Sequence, residues 1–265
     1  VQAGHDVSVW NRTPEKAQAW QKDYPKGQAE RDIAMACDQA EYIFLCLGDD
    51  PDVEAVFAQI EPCLKPGMSV IDHTTASAGL ARRLHARSAA KGAGFLDAPI
   101  SGGEAGAQKG QLAIMCGGDA PVFANSEPIM TAYGKAIVHI GQSGAGQLCK
   151  SVNQICISGI VQGLSEALAF AQKADLDIAK VIAAISTGAA QSWQMDNRWQ
   201  SMIEGHFEHG FAVDWMRKDL RIALEMAKEL GTDTPIAAQV DEYYAEIQEM
   251  GGARWDTSSL IARLK

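Results

Sequence analysis

Relative to its length, this sequence is poor in basic charge. Lysine and arginine total 23 against 33 aspartates and glutamates, a formal net charge of −10 over 265 residues. Binding to nucleic acid needs a basic face that neutralises phosphates, so that class of partner is excluded. An unbroken apolar run is also lacking. The longest candidate, from Ile155 to Ala171, is interrupted by Ser158, Gly159, Gln162, Ser165 and Glu166, so no membrane span or membrane partner is expected. The six cysteines, Cys37, Cys46, Cys63, Cys116, Cys149 and Cys156, show no paired metal-type spacing. Cys46 and Cys116 lie in apolar strand-like runs and read as buried, reduced thiols, which suits a reducing cytoplasm. His206 and His209 form an isolated HxxH pair with no third ligand nearby, so no metal site is expected. What remains is ordinary globular composition, 47% hydrophobic and 21% charged, at a length suited to one large domain or two modest ones.

Up to about Gly141 the chain alternates strand-like and helix-like segments. The strand-like runs are Asp6–Trp10, Tyr42–Leu47, Ser69–Asp72, Gly94–Asp97, Leu112–Cys116 and Ala136–Ile140. Helical spacing covers Pro14–Trp20, Pro51–Cys63, Ser77–Lys91 and Pro121–Tyr133, with Pro14 and Pro121 at helix-opening positions. Such alternation predicts an α/β domain with a mainly parallel sheet. Beyond Gly144 only helical spacing remains, over Leu148–Lys173, Asp177–Thr187, Asp214–Leu230 and Pro235–Met250. The expected division is therefore 1–143, α/β, and 144–265, all helical.

Two segments carry chemistry. Asp97-Ala98-Pro99-Ile100-Ser101-Gly102-Gly103, followed by Gly106, Ala107 and Gly110, leaves a strand end for backbone that only glycine makes accessible. The Ser101 hydroxyl and the N–H groups of Gly102 and Gly103 suit a small carboxylate. Farther on, Gly144-Ala145-Gly146-Gln147-Leu148-Cys149-Lys150-Ser151-Val152-Asn153 opens a long helix, with Lys150 and Asn153 three apart on one face. Together these segments resemble the β-hydroxyacid dehydrogenase family, which includes 3-hydroxyisobutyrate dehydrogenase and the glyoxylate and succinic semialdehyde reductases. The resemblance implies a Rossmann-type, doubly wound dinucleotide-binding domain followed by an all-α domain. It also implies hydride transfer between a nicotinamide cofactor and a small 3-hydroxy acid or its semialdehyde, and a homodimer or homotetramer. Lys150 falls on the family's catalytic lysine. Asn153 would help fix the substrate, with Ser101, Gly102 and Gly103 taking its carboxylate.

A doubly wound sheet reads the adenosine ribose at the end of its second strand, where an NAD enzyme usually places Asp or Glu. Here the strand Asp6–Trp10 ends in Asn11-Arg12-Thr13, and Arg12 with the Thr13 hydroxyl suits a 2′-phosphate. NADP is the expected cofactor, with NAD the second choice. The glycine-rich turn G-x-G-x-x-G is not found. Val1-Gln2-Ala3-Gly4-His5 resembles the end of the family's first helix, so the first strand and that turn are expected upstream of Val1. Other matches are looser. Leu47, Gly48 and Asp52 correspond to a cofactor loop, although many relatives have proline in place of Gly48. Thr75 falls near the nicotinamide contact, Lys218 would approach the cofactor and Asp219 would orient the lysines. Phe211 would wall the substrate pocket, a reading that competes with plain core packing. Imine reductases share the architecture but generally replace the lysine that Lys150 retains, and phosphogluconate dehydrogenases have a histidine near the asparagine. A non-catalytic dinucleotide-binding protein is the alternative from another class.

Overall fold

The structure is a computed structural model that describes residues 1–264. Lys265, the last residue of the expected second domain, lies outside the described residues. The chain forms two compact units, Val1–Gly102 with Gly106–Gln147, and Gly103–Ala105 with the residues from Leu148 onward.

The first unit begins with β1 (Ser8–Val9), α1 (Pro14–Asp23), β2 (Gln28–Ala29), α2 (Ile33–Cys37) and β3 (Tyr42–Leu45). It continues through α3 (Asp50–Ile60), a 3-10 turn over Glu61–Cys63, β4 (Ser69–Asp72), α4 (Ala78–Ala89), β5 (Gly94–Asp97), β6 (Ile100–Ser101) and α5 (Gly103–Gln108, whose first three residues cluster with the second unit). It closes with β7 (Leu112–Gly118), α6 (Ala120–Met130) and β8 (Gly134–Gly141). Helix starts follow local chemistry. Pro14 and Pro121 open α1 and α6, where a missing N–H costs nothing. Ser77 caps α4 by accepting from the Leu80 N–H at 3.0 Å.

β1 and β2 form a parallel pair of their own, and the other six strands form one sheet in the order β3-β4-β5-β7-β6, with β8 on β7. The pairings are mainly parallel, as expected, including β7 with β8, and two antiparallel pairings make the sheet mixed. β3, β4, β5 run parallel, but β7 is antiparallel to both β5 and β6. Between β5 and β7 lie only the two-residue β6 and the six-residue α5, too little for the crossover helix that a parallel neighbour requires. Both faces of the central strands are covered. Val70 and Phe95, paired across β4 and β5, pack with Val53, Phe57, Leu80 and Leu84. Ile71 and Leu96, the next pair, pack with Ile114, Cys116 and Met130. Burial on both sides explains why β4 reads as a continuous apolar run rather than an alternation. Cys116 is buried as expected; Cys46 is not, because β3 ends one residue earlier and the thiol faces solvent.

The second unit contains α7 (Ala145–Lys173, whose first three residues cluster with the first unit), α8 (Ile178–Ile185), α9 (Trp193–Glu204), α10 (Val213–Leu230) and α11 (Pro235–Glu249). A 3-10 segment over Thr257–Leu264 follows. Val161, Val213, Met216, Leu220, Val240 and Tyr244 form one core cluster, and Leu164, Leu168, Met195 and Met202 form another. The first half of α7 is built inside out, whereas Val161, Leu164, Leu168 and Ala171 of its second half are buried in the ordinary way. Lys150, Gln154, Ser158, Gln162 and Ser165 are buried, while Val152, Cys156, Ile160 and Phe170 are exposed. With 29 residues and an 18-residue window of mean hydropathy 1.3, α7 is by length and composition long and apolar enough to cross a bilayer, which corrects the expectation that no segment is. Scattered polar residues hid this property, and in the fold three of them, Ser158, Gln162 and Ser165, are turned inward.

Candidate active site

The C-terminal ends of β3 and β4 in the first unit carry two loops that brace each other. The Leu47 N–H donates to Thr74 Oγ1 at 2.9 Å, and the Thr74 N–H donates to Asp72 Oδ1 at 2.9 Å. Gln147 clamps the second loop, donating to Thr74 O at 2.8 Å and accepting from the Ala76 N–H at 3.0 Å. Thr74 and Ala76 are therefore buried, and Thr75 between them is left half-buried. Gly48 lies against Asp52, whose carboxylate a Cβ at this position would strike. The absence of a side chain here thus accompanies the departure from proline.

At the end of β1, Asn11 Oδ1 accepts from the Thr13 N–H at 2.9 Å, turning the chain into α1. Thr13 is the N-cap of this ten-residue helix, yet its side chain makes no capping bond. Arg12 is exposed and its Nη1 lies 3.0 Å from Asp52 Oδ1. A guanidinium, a spare hydroxyl and the positive end of a helix fit an anionic group on a bound dinucleotide.

Asp97, fully buried at the end of β5, holds the start of α7. Its carboxylate accepts from the Gly144 N–H at 2.7 Å and the Gln147 N–H at 3.0 Å. Burial pushes Asp97 up to about 6 and Asp72 up to about 7, each against the pull of its hydrogen bonds. A raised carboxyl is protonated more readily in the folded state than in the unfolded one. Its contribution to stability is therefore full below about pH 4 and is lost as pH rises through about 7 for Asp72. Asp72→Asn, which keeps an oxygen for the Thr74 N–H, should leave the thermal midpoint unchanged near pH 4 and raise it by several degrees, on the order of 5 °C, at pH 8. Thermal melts across that range test this; a parallel curve for both proteins would refute it.

Ser101 lies on β6 opposite Ala113 and is half-buried. Gly102 and Gly103 follow with φ of +128° and +60°, conformations that side chains rarely adopt, and a Cβ on Gly103 would meet open space.

In the second unit, Lys150 is 6% exposed on α7. Its neighbour Asn153 donates through Nδ2 to Gln154 Oε1 at 2.9 Å, and Gln154 donates to Asp219 Oδ2 at 2.6 Å. Asp219 is buried on α10, and its Oδ1 lies 3.0 Å from Lys218 Nζ. Burial lowers the proton affinity of Lys150; the Asp219 charge works against that shift and the Lys218 charge adds to it. Phe211 packs against the core cluster of this unit, and its N–H donates to Asp256 Oδ2 at 2.9 Å.

The structure thus groups Lys150, Asn153, Lys218 and Asp219, with Phe211 in the same unit. Asn11, Arg12, Thr13, Leu47, Gly48, Asp52, Thr75, Ser101 and Gly102 belong to the other, and Gly103 clusters with the helical unit. Gln154 was missed by sequence reasoning, although its place one turn beyond Lys150 is a signal. Asp97 and Gln147 were missed as supports because their partners are backbone atoms some fifty and seventy residues away in the chain.

Comparison with known proteins decides the family. Residues 1–141 match the NAD binding domain of 6-phosphogluconate dehydrogenase, and residues 144–264 match the NAD-binding domain of NADP-dependent 3-hydroxyisobutyrate dehydrogenase. The chain belongs to the β-hydroxyacid dehydrogenase family. It is accordingly an NAD(P)-dependent oxidoreductase with a Rossmann-like domain and an all-helical one. Among its relatives, an oxidoreductase of Shewanella frigidimarina is 49% identical over 270 residues, covering all of this chain and 92% of that protein. The 2-hydroxy-3-oxopropionate reductase of Escherichia coli is 34% identical over 268 residues, covering all of this chain and 91% of the relative. The 3-hydroxyisobutyrate dehydrogenase of Mycobacterium tuberculosis, solved with L-serine, superposes with a TM-score of 0.90 at 26% identity, covering all of this chain and 92% of that one.

Proposed function

We propose that this protein transfers hydride between NADP and a small 3-hydroxy acid or its semialdehyde, with Lys150 handling the proton. The observation that carries the reading is a buried lysine whose proton affinity is lowered by burial beside the Lys218–Asp219 pair. A nicotinamide, when bound, would supply hydride to the aldehyde carbon or accept it from the carbinol carbon. In the reducing direction the Lys150 ammonium donates its proton to the oxygen that gains negative charge. In the oxidising direction the neutral amine takes the hydroxyl proton, a role that the burial-lowered proton affinity of Lys150 favours. Asn153 bonds the same substrate, Phe211 walls its pocket, and the Gln154–Asp219 bond keeps the surroundings of Lys150 fixed. Ser101 with the Gly102 and Gly103 N–H groups takes the carboxylate, and Arg12 with Thr13 takes the 2′-phosphate.

The substrate class draws support from two relatives. 2-Hydroxy-3-oxopropionate and L-serine are both three-carbon acids with oxygen on the carbon β to the carboxylate. Absorbance of NADPH followed over a panel of glyoxylate, succinic semialdehyde, 2-hydroxy-3-oxopropionate and methylmalonate semialdehyde tests the reading. Turnover highest with a three-carbon-chain semialdehyde is expected. Tight NADPH binding with no turnover on any member would favour the non-catalytic alternative. The exposed apolar stripe of α7, from Val152 through Ile160 to Phe170, is the surface on which we place a second copy of the chain. Light scattering that gave the mass of a single chain would contradict that placement.

A further inference from the structure

His73 follows β4, and its N–H donates to Leu45 O at 2.8 Å. Its imidazole sits among three groups: Nδ1 lies 2.6 Å from Ala98 O, Nε2 lies 2.8 Å from the Tyr133 hydroxyl, and Phe44 stacks on the ring at 5.8 Å between centroids. A carbonyl oxygen only accepts, so Nδ1 carries the proton. In a neutral ring Nε2 then accepts from the Tyr133 hydroxyl, and every polar atom of the set is satisfied. Burial acts in the same sense, holding His73 below the ordinary imidazole range and raising Tyr133 above the ordinary phenol range.

This bond falls where the chain leaves β5 for the glycine-rich segment. Ala98 is fully buried; its N–H donates to Asp72 O at 2.8 Å, and its carbonyl is the one His73 engages. Pro99 O accepts from the Met115 N–H at 3.0 Å, and Ile100 and Ser101 pair with Ile114 and Ala113. Without the imidazole, the Ala98 carbonyl would be a buried acceptor with nothing to accept, an arrangement a chain avoids by shifting. The residues that would shift are those leading into Ser101.

We infer that His73 is a positioning residue for carboxylate recognition: by holding Ala98 and Tyr133 together it fixes the backbone that delivers Ser101 and the Gly102 N–H. The inference rests on the reading that Ser101, Gly102 and Gly103 take the substrate carboxylate. Because an anion must meet several donors at once, a small displacement of this backbone should weaken carboxylate binding and leave the rest of the site intact.

The test compares methylmalonate semialdehyde with 2-methylpropanal, which has the same carbon count and no charge, using NADPH with the intact protein and its variants. His73→Leu should lower kcat/KM for methylmalonate semialdehyde about tenfold through KM, with the KM for NADPH and the rate on 2-methylpropanal little changed. His73→Asn, whose amide nitrogen falls near the place of Nδ1, should recover most of the loss. His73→Gln, whose amide reaches toward Tyr133 rather than Ala98, should behave like His73→Leu and replaces it if that variant does not fold. Equal losses on both aldehydes, or an unchanged preference for the carboxylated one in His73→Leu and His73→Gln, would overturn the inference while leaving the carboxylate site standing. An unmodified protein with no preference for the carboxylated aldehyde would remove that site and this inference with it.

Discussion

Replacing Lys150 with alanine is expected to lower kcat by about a hundred- to ten-thousand-fold, the usual contribution of a positioned proton-transfer group, with the Kd for NADPH almost unchanged. The separation follows from where the groups lie. The residues assigned to the adenosine end, Asn11, Arg12 and Thr13, belong to the other unit. Stability offers a second discriminator. Burial disfavours the charged lysine, so an apolar replacement that keeps the stem, Lys150→Met, removes a desolvation cost and should not melt earlier than the unmodified protein. A purely structural lysine would behave in the opposite way, with lost stability and preserved turnover. Steady-state rates, NADPH fluorescence titration and a thermal melt on the same preparation decide between the two; near-normal turnover removes Lys150 from its role.

The pH profile carries the same argument further. Aldehyde reduction needs the ammonium and should fall as pH rises through the pKa of Lys150, which lies below the ordinary lysine value because of burial. Alcohol oxidation needs the free amine and should rise through the same point. Lys218 contributes to the downward shift, so Lys218→Met should move both limbs to higher pH.

Much of this arrangement was legible in the residues. The runs Ser69–Asp72 and Gly94–Asp97 became β4 and β5 without change, because strands buried on both faces leave continuous apolar signatures. β2 and β6 were not foreseen, since each has only two residues and owes its existence to a neighbour. α9 was hidden by a polar composition, although Ser192 at its N-cap and Gly205 in the left-handed conformation at its end are ordinary boundary signals. At the site, residue types and spacing pointed to Lys150 and the glycines. Sequence could not show the supporting bonds of Asp97, Gln147, Gln154 and His73. Those depend on which distant carbonyl or amide the fold brings opposite a side chain, and only long-range packing sets that.

Cofactor choice is expected to turn on Arg12. Arg12→Ala should raise the KM for NADPH about ten- to a hundredfold, the scale of a charge-assisted bond to phosphate worth roughly 1.5–3 kcal/mol, while the KM for NADH stays nearly constant. The nearby Asp52 carboxylate competes with a phosphate for this group, since it already holds the guanidinium at 3.0 Å. Magnitudes settle the competition. The Arg12 side chain is 83% exposed, and an ion pair that open to water is worth about 0–1 kcal/mol, less than the bond to a phosphate. The phosphate should therefore draw Arg12 away, at a cost no larger than the pair it breaks. Asp52→Asn removes that cost and one repelling charge, so it should lower the KM for NADPH by up to about fivefold and shift NADH far less. Opposite movements of the two variants, confined to the phosphorylated cofactor, identify Arg12 as the discriminating group. Equal KM values for NADPH and NADH in the unmodified protein would refute the assignment, because an arginine that meets no phosphate has nothing to discriminate.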